Sequence, residues 1–116
     1  LLGHLVEMLQ ASDVDAALDL NSTPLLPGAA DLSVDGIEST LKPDNESAIA
    51  TRHQPATHIV YPLLFDPQTA GGLLFGVPAD RAQACLADLH ETAAPDAAII
   101  GRVTARAGTK PMVTLG

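Results

Sequence analysis

The residues best suited to chemistry in this chain lie together in Phe65-Asp66-Pro67-Gln68-Thr69-Ala70-Gly71-Gly72-Leu73-Leu74. Asp66-Pro67 opens a turn, Gln68 and Thr69 bring side-chain donors, and Gly71-Gly72 admits positive φ or a close approach of a ligand to the backbone. A turn of this composition can cradle an anion on its amides, and a structural turn feeding a strand uses the same residues with no ligand at all. The chain has neither a Walker A pattern nor a G-x-G-x-x-G fingerprint, so nucleotide use does not follow from loop motifs.

The other reactive side chains read as structural. Cys85 is the only cysteine. It falls on the apolar stripe of a helix, where a thiol is expected to be buried and inert, with a raised pKa. His4 is expected to be a helix-borne structural histidine, the alternative being that it packs near a domain junction or orients a ligand. His53 and His58 lack the paired spacing and supporting ligands of a zinc site. Asp13, Asp15 and Asp19 read as a solvated rim.

The elements that must position these residues follow from periodicity. Leu2, Leu5, Val6 and Leu9 mark an amphipathic helix over Leu1 to Gln10, and it starts with no cap ahead of it, as a fragment of a longer chain would. Asp15 to Leu20 alternates as a half-buried strand with Ala16, Leu18 and Leu20 inward. Pro27 and Gly36-Ile37 bracket a short helix from about Pro27 to Asp35, and the polar stretch from Lys42 to Thr57 holds one short helix at Asp44 to Thr51.

Pro62 demotes His58 to Phe65 to an edge strand or extended connector, and Gly72 to Val77 reads as a buried strand. Asp80 and Gln83 resemble a capping box for a helix whose stripe is Ala82, Cys85, Leu86 and Leu89, with His90 near its end. Ala97 to Thr104 and Pro111 to Leu115 read as two strands joined by a turn through Ala107, Gly108 and Thr109, at hairpin spacing. Helices interspersed with a few strands predict an α+β fold with a mixed β-sheet packed with helices, in one domain spanning residues 1–116.

Composition narrows the partners. With six basic against fourteen acidic residues the net charge is −8, a field that opposes nucleic acid and anionic lipid. Tyr61, Phe65 and Phe75 are the only aromatics besides histidine, too few for a base-stacking platform. No apolar run nears the roughly twenty residues of a membrane span, and a lone thiol suits a reducing compartment, so a cytoplasmic location is expected.

The run Leu64 to Leu74 is very similar to a signature of the selenophosphate synthetase (selenide, water dikinase) family, which commonly has Ser at the position of Ala70. Leu1-Leu2-Gly3-His4-Leu5 with Glu7-Met8 resembles the Gly-Leu-Leu-Gly-His stretch of the same family, and Leu25-Leu26-Pro27-Gly28-Ala29 its Pro-rich turn. Gly36-Ile37, Ser39-Thr40-Leu41 with Pro43, and Ile100-Gly101-Arg102-Val103 continue the likeness in order.

The resemblance implies the C-terminal domain, of the aminoimidazole ribonucleotide synthetase-like type, of an enzyme that makes selenophosphate, AMP and phosphate from ATP, selenide and water with magnesium. It implies a nucleophilic Cys or selenocysteine, an essential Lys and most of the magnesium-binding Asp residues in an N-terminal domain outside this chain, with a further metal-binding Asp just upstream of the Gly-Leu-Leu-Gly-His stretch, also outside it. That domain is the expected partner, in a full-length homodimer. No catalytic or metal-binding residue carries over, and the fragment alone is expected to be inactive and to bind neither ATP nor magnesium tightly. Asp66, Gln68, Thr69, Gly71 and Gly72 are the expected nucleotide phosphate-proximal loop. Two alternatives stand beside this reading: the equivalent domain of another ATP-dependent member of the superfamily, and a non-catalytic packing or oligomerisation module.

Overall fold

The computed structural model describes residues 1–68, 71–92, 94–108 and 111–116. Helix α1 (Leu2–Ser12) buries Leu2, Leu5, Val6 and Leu9, the stripe its spacing demands. It stops at Asp13, whose φ of 52° is left-handed, a conformation that Asp tolerates better than most side chains, and strand β1 (Val14–Leu18) follows at once. Ala16, Leu18 and the following Leu20 point into the core, as the alternation predicts. Burying a leucine of this kind contributes about 1.5–3 kcal/mol over leaving it in water.

Strand β1 is the centre of a three-stranded mixed sheet. Strand β2 (Gly101–Ala105) pairs with it antiparallel and strand β3 (Val113–Leu115) pairs with it parallel, so β2 and β3 flank β1 and do not form the expected hairpin. The reason lies just past β2. The Ala107 N–H donates to the Asp15 carboxylate at 2.8 Å and Arg106 ion-pairs with the same group, which draws the chain across the end of β1 and away from a turn back onto β2. Gly101 is required where β2 crosses β1, because a Cβ there would sit 2.3 Å from the Ala17 carbonyl oxygen.

Helix α2 (Ala29–Val34) ends as the sequence predicts: Gly36 has φ 79°, and the Ile37 N–H returns to the Leu32 carbonyl at 2.9 Å. Helix α3 (Lys42–Ile49) starts two residues before the expected position, with Pro43 in its first turn. His58 to Phe65 is not extended. It forms a 3-10 turn over Tyr61–Phe65, because Pro62 sits in the first turn, where its missing N–H has no partner to lose, and the turn buries Leu64 and Phe65.

The largest departures follow residue 71. Gly72 to Val77 forms no strand: none of β1 to β3 pairs with it, and Leu73 is 87 % exposed. Apolar alternation alone does not make a strand when the N–H and C=O groups have only water to bond. Helix α4 (Ala82–Thr92) follows a 3-10 turn over Ala79–Arg81 that contains Asp80, so the expected capping box is not made. Its stripe is half-buried, and Cys85 with it, short of the core position expected for the thiol. The architecture is nonetheless the expected α+β one, a mixed sheet packed with helices, with the core between α1, β1, β3 and the Tyr61–Phe65 turn.

Candidate functional site

The Asp66 turn is held from behind. Phe65, at its entry, is 3 % exposed and lies against the rings of His53 and Tyr61 at centroid distances of 5.4 and 5.1 Å. The Asn45 side-chain amide donates to the Phe65 carbonyl at 2.9 Å, tying the entry to α3. Asp66 then turns extended, at ψ 129°, as a residue before proline must, while its N–H reaches the Leu63 carbonyl at 3.3 Å.

Of the expected loop residues, Asp66 is half-buried and Gln68, Gly71 and Gly72 are exposed; Thr69 lies outside the described residues. Neither Gly71 nor Gly72 takes positive φ, so that reason for glycine is corrected. Gly71 instead lies under the Gln68 side chain, whose Oε1 would stand 2.9 Å from an added Cβ. Gly72 has no heavy atom within 4 Å of such a Cβ, which leaves its backbone open to an approaching group.

The start of α1 reaches this turn. The Leu1 nitrogen donates to the Leu64 carbonyl at 3.1 Å, beside Asp66. The structure thus sets Leu1 beside Leu64, sixty-three residues away in sequence. His4 is exposed on α1, where its Nδ1 lies 3.2 Å from the Glu7 carboxylate.

Sequence reasoning missed the support behind the turn. His53 is 5 % exposed, with Nδ1 at 3.0 Å from the Ile49 carbonyl and Nε2 at 3.0 Å from the Tyr61 hydroxyl. Tyr61 in turn lies 3.4 Å from Glu46, and burial followed by that carboxylate raises the pKa of its phenol. Both ring nitrogens of His53 therefore have protein partners. Nothing in the spacing of His53, Tyr61 and Glu46 marks the network, because a polar loop and a proline-broken run separate its members. No group of three or more metal-ligating side chains occurs among the described residues.

Two carboxylates of the acidic rim also hold turns. Asp15 is lowered from its ordinary pKa first by the Ala107 N–H and then by Arg106. Asp19 is lowered first by the Ser22 hydroxyl, and its carboxylate also accepts the Asn21 N–H at 2.9 Å. These carboxylates fasten turns. His58 faces Asn21 at 3.3 Å on the same side of the molecule.

Residues 1–114 match the family described as AIR synthase related protein, C-terminal domain. A selenide, water dikinase of Porphyromonas gingivalis is 42 % identical over 106 residues, covering 90 % of this chain and 30 % of the relative. One from Clostridioides difficile is 33 % identical over 106 residues, with 89 % and 30 % covered, and one from Myxococcus xanthus is 39 % identical over 111, with 90 % and 30 % covered. The chain therefore spans about 30 % of the length of these curated relatives.

Proposed function

Because this chain belongs to the AIR synthase related C-terminal domain family, we propose that it serves as the C-terminal domain of a selenide, water dikinase, which makes selenophosphate from ATP, selenide and water. In this reading the turn from Asp66 to Gly72 lines the phosphate end of the nucleotide site. The observation that carries it is the meeting of Leu1 with Leu64, which sets the N-terminal end of α1 beside the turn. A helix N-terminus and an open glycine backbone together favour an anion, since both present N–H groups toward it.

Asp66 sets a condition on that anion. Its carboxylate repels a bare phosphate, so the phosphate that approaches must have its charge met by a cation. The described residues do not make a magnesium site of their own, and no step is assigned to the metal here. Magnesium, the nucleophile and the rest of the ATP contacts would come from the N-terminal part of the protein. That part is the proposed partner, in a homodimeric cytoplasmic enzyme; no helix among the described residues is long and apolar enough to cross a membrane.

The test is calorimetric binding of ATP with magnesium to the full-length parent, to its Gly71→Val, Gly72→Val variant and to this chain alone. The expected result is binding by the parent, loss of that binding in a variant that keeps its circular-dichroism spectrum, and none by the chain. A folded variant that binds as the parent does would remove the turn from the nucleotide site. It would favour the second reading, a packing module, which the exposure of Leu26, Val34 and Ile37 around α2 supports.

A further inference from the structure

We propose that Asn45 is a positioning residue for the turn from Asp66 to Gly72: it fixes the Phe65–Asp66 peptide from which the turn leaves the core, and so the way the turn meets the phosphate end of the nucleotide. This deepens the function proposed above and rests on it.

The backbone at this point has little freedom left. The Phe65 ring is buried against His53 and Tyr61, which anchors the chain behind the turn. Pro67 locks its own φ and confines Asp66 to extended backbone, at φ −63° and ψ 129°. Between the ring and the proline, the plane of the Phe65–Asp66 peptide is the soft element that remains, and it is held on both edges. The Asp66 N–H donates to the Leu63 carbonyl at 3.3 Å, and the Asn45 side-chain amide donates to the Phe65 carbonyl at 2.9 Å. The first bond closes the 3-10 turn itself and forms in any such turn. The second comes from α3, twenty residues away in sequence.

Helix α3 meets the Tyr61–Phe65 turn through polar groups. None of its residues is buried, and Ile49 alone among them packs partly against the core. Glu46 lies 3.4 Å from the Tyr61 hydroxyl, and the Ile49 carbonyl lies 3.0 Å from Nδ1 of His53, whose Nε2 is 3.0 Å from the same hydroxyl. These contacts hold side chains behind the turn. The Asn45 bond falls instead on the backbone, at the carbonyl that leads into Asp66.

A cap on the last carbonyl of a 3-10 turn is the plain alternative, and it leads to a different pattern of losses. Asn45 is exposed, so water can replace its amide on the Phe65 carbonyl at little cost in stability. Water does not fix the direction of that carbonyl. The loss therefore falls on the orientation of Asp66 and of the chain after it, where a small misplacement weakens the hold on a ligand. Weaker nucleotide use without a matching loss of stability is what separates positioning from capping.

Steady-state kinetics of the full-length parent with magnesium and varied ATP, alongside thermal unfolding, test this. Asn45→Leu removes the donor with little change in size, and Asn45→Gln keeps a donor amide. In Asn45→Leu the KM for ATP should rise about five- to tenfold, the scale of one net hydrogen bond, with kcat within about twofold and Tm within about 2 °C of the parent. Asn45→Gln should recover part of the loss in KM. Leu9→Ala, a core change on α1 that removes no contact to the Phe65 carbonyl, should lower Tm and leave KM unchanged. An unchanged KM in Asn45→Leu would overturn the proposal. So would a KM in Asn45→Gln as high as in Asn45→Leu, or a KM that rises in Leu9→Ala as well. The Gly71→Val, Gly72→Val variant separates this proposal from the reading beneath it. If that variant loses ATP binding while Asn45→Leu keeps its KM, Asn45 alone falls; if the folded glycine variant binds as the parent does, the reading falls and this proposal with it.

Discussion

Helices α1 and α4 have the same length, eleven residues, and the same four-position apolar stripe, but only α1 buries it. Leu2, Leu5, Val6 and Leu9 are between 0 and 8 % exposed, whereas no residue of α4 is buried. The stripes differ in content as well: three leucines and a valine in α1, against Ala82, Cys85, Leu86 and Leu89 in α4. Periodicity identifies which face of a helix seeks cover. What covers it depends on elements elsewhere in the chain, and for α1 these are α3, β1 and the Tyr61–Phe65 turn.

The largest expected effect tests this contrast directly. Leu9→Ala should cost about 2–5 kcal/mol in chemical denaturation, the loss typical of a leucine removed from a closed core. Leu86→Ala should cost less, within about 1 kcal/mol, because Leu86 is only half-buried and no residue of α4 reaches the core. Equal losses at Leu9 and Leu86 would show that the two stripes are covered alike.

A smaller effect is expected behind the candidate turn, where the core is polar. Tyr61→Phe leaves Nε2 of the buried His53 without its partner and should cost about 1–3 kcal/mol. If the bond is what matters, a His53→Leu, Tyr61→Phe double variant loses less than the sum of the two single variants. Additivity would show that the rings contribute by packing alone, through contacts such as the 5.9 Å separation of their centroids.

The well-covered half of the molecule was also the more legible half. The α1 stripe, the inward set Ala16, Leu18 and Leu20, and the stop at Gly36 all follow from local rules that the structure keeps. The candidate turn was legible as a turn through Asp66-Pro67, but its support was not, because the Asn45 to Phe65 bond and the His53 to Tyr61 bond join residues with no common motif. Sheet order failed for a related reason. Two strands at hairpin spacing look like a hairpin, and the tether that diverts them, from Ala107 to Asp15, spans ninety-two residues.

That tether supplies the smallest effect, and its sign is fixed. Asp15 has a folded-state pKa below its unfolded value, chiefly through the Ala107 N–H and next through Arg106. Its contribution is therefore fully present above the unfolded carboxyl value of about 3.9 and is lost as pH falls through the folded value. In Asp15→Asn the acid limb of a stability–pH curve should flatten below about pH 4, while the curve near neutrality falls only slightly, since the group borders solvent and is well screened. Amide exchange should show that slight loss at Gly101 to Ala105 before it shows at α1, because Asp15 holds the chain where it leaves β2 and touches nothing in the α1 core. An unchanged acid limb would mean that the diversion of the chain past β1 is fixed by β3 pairing alone.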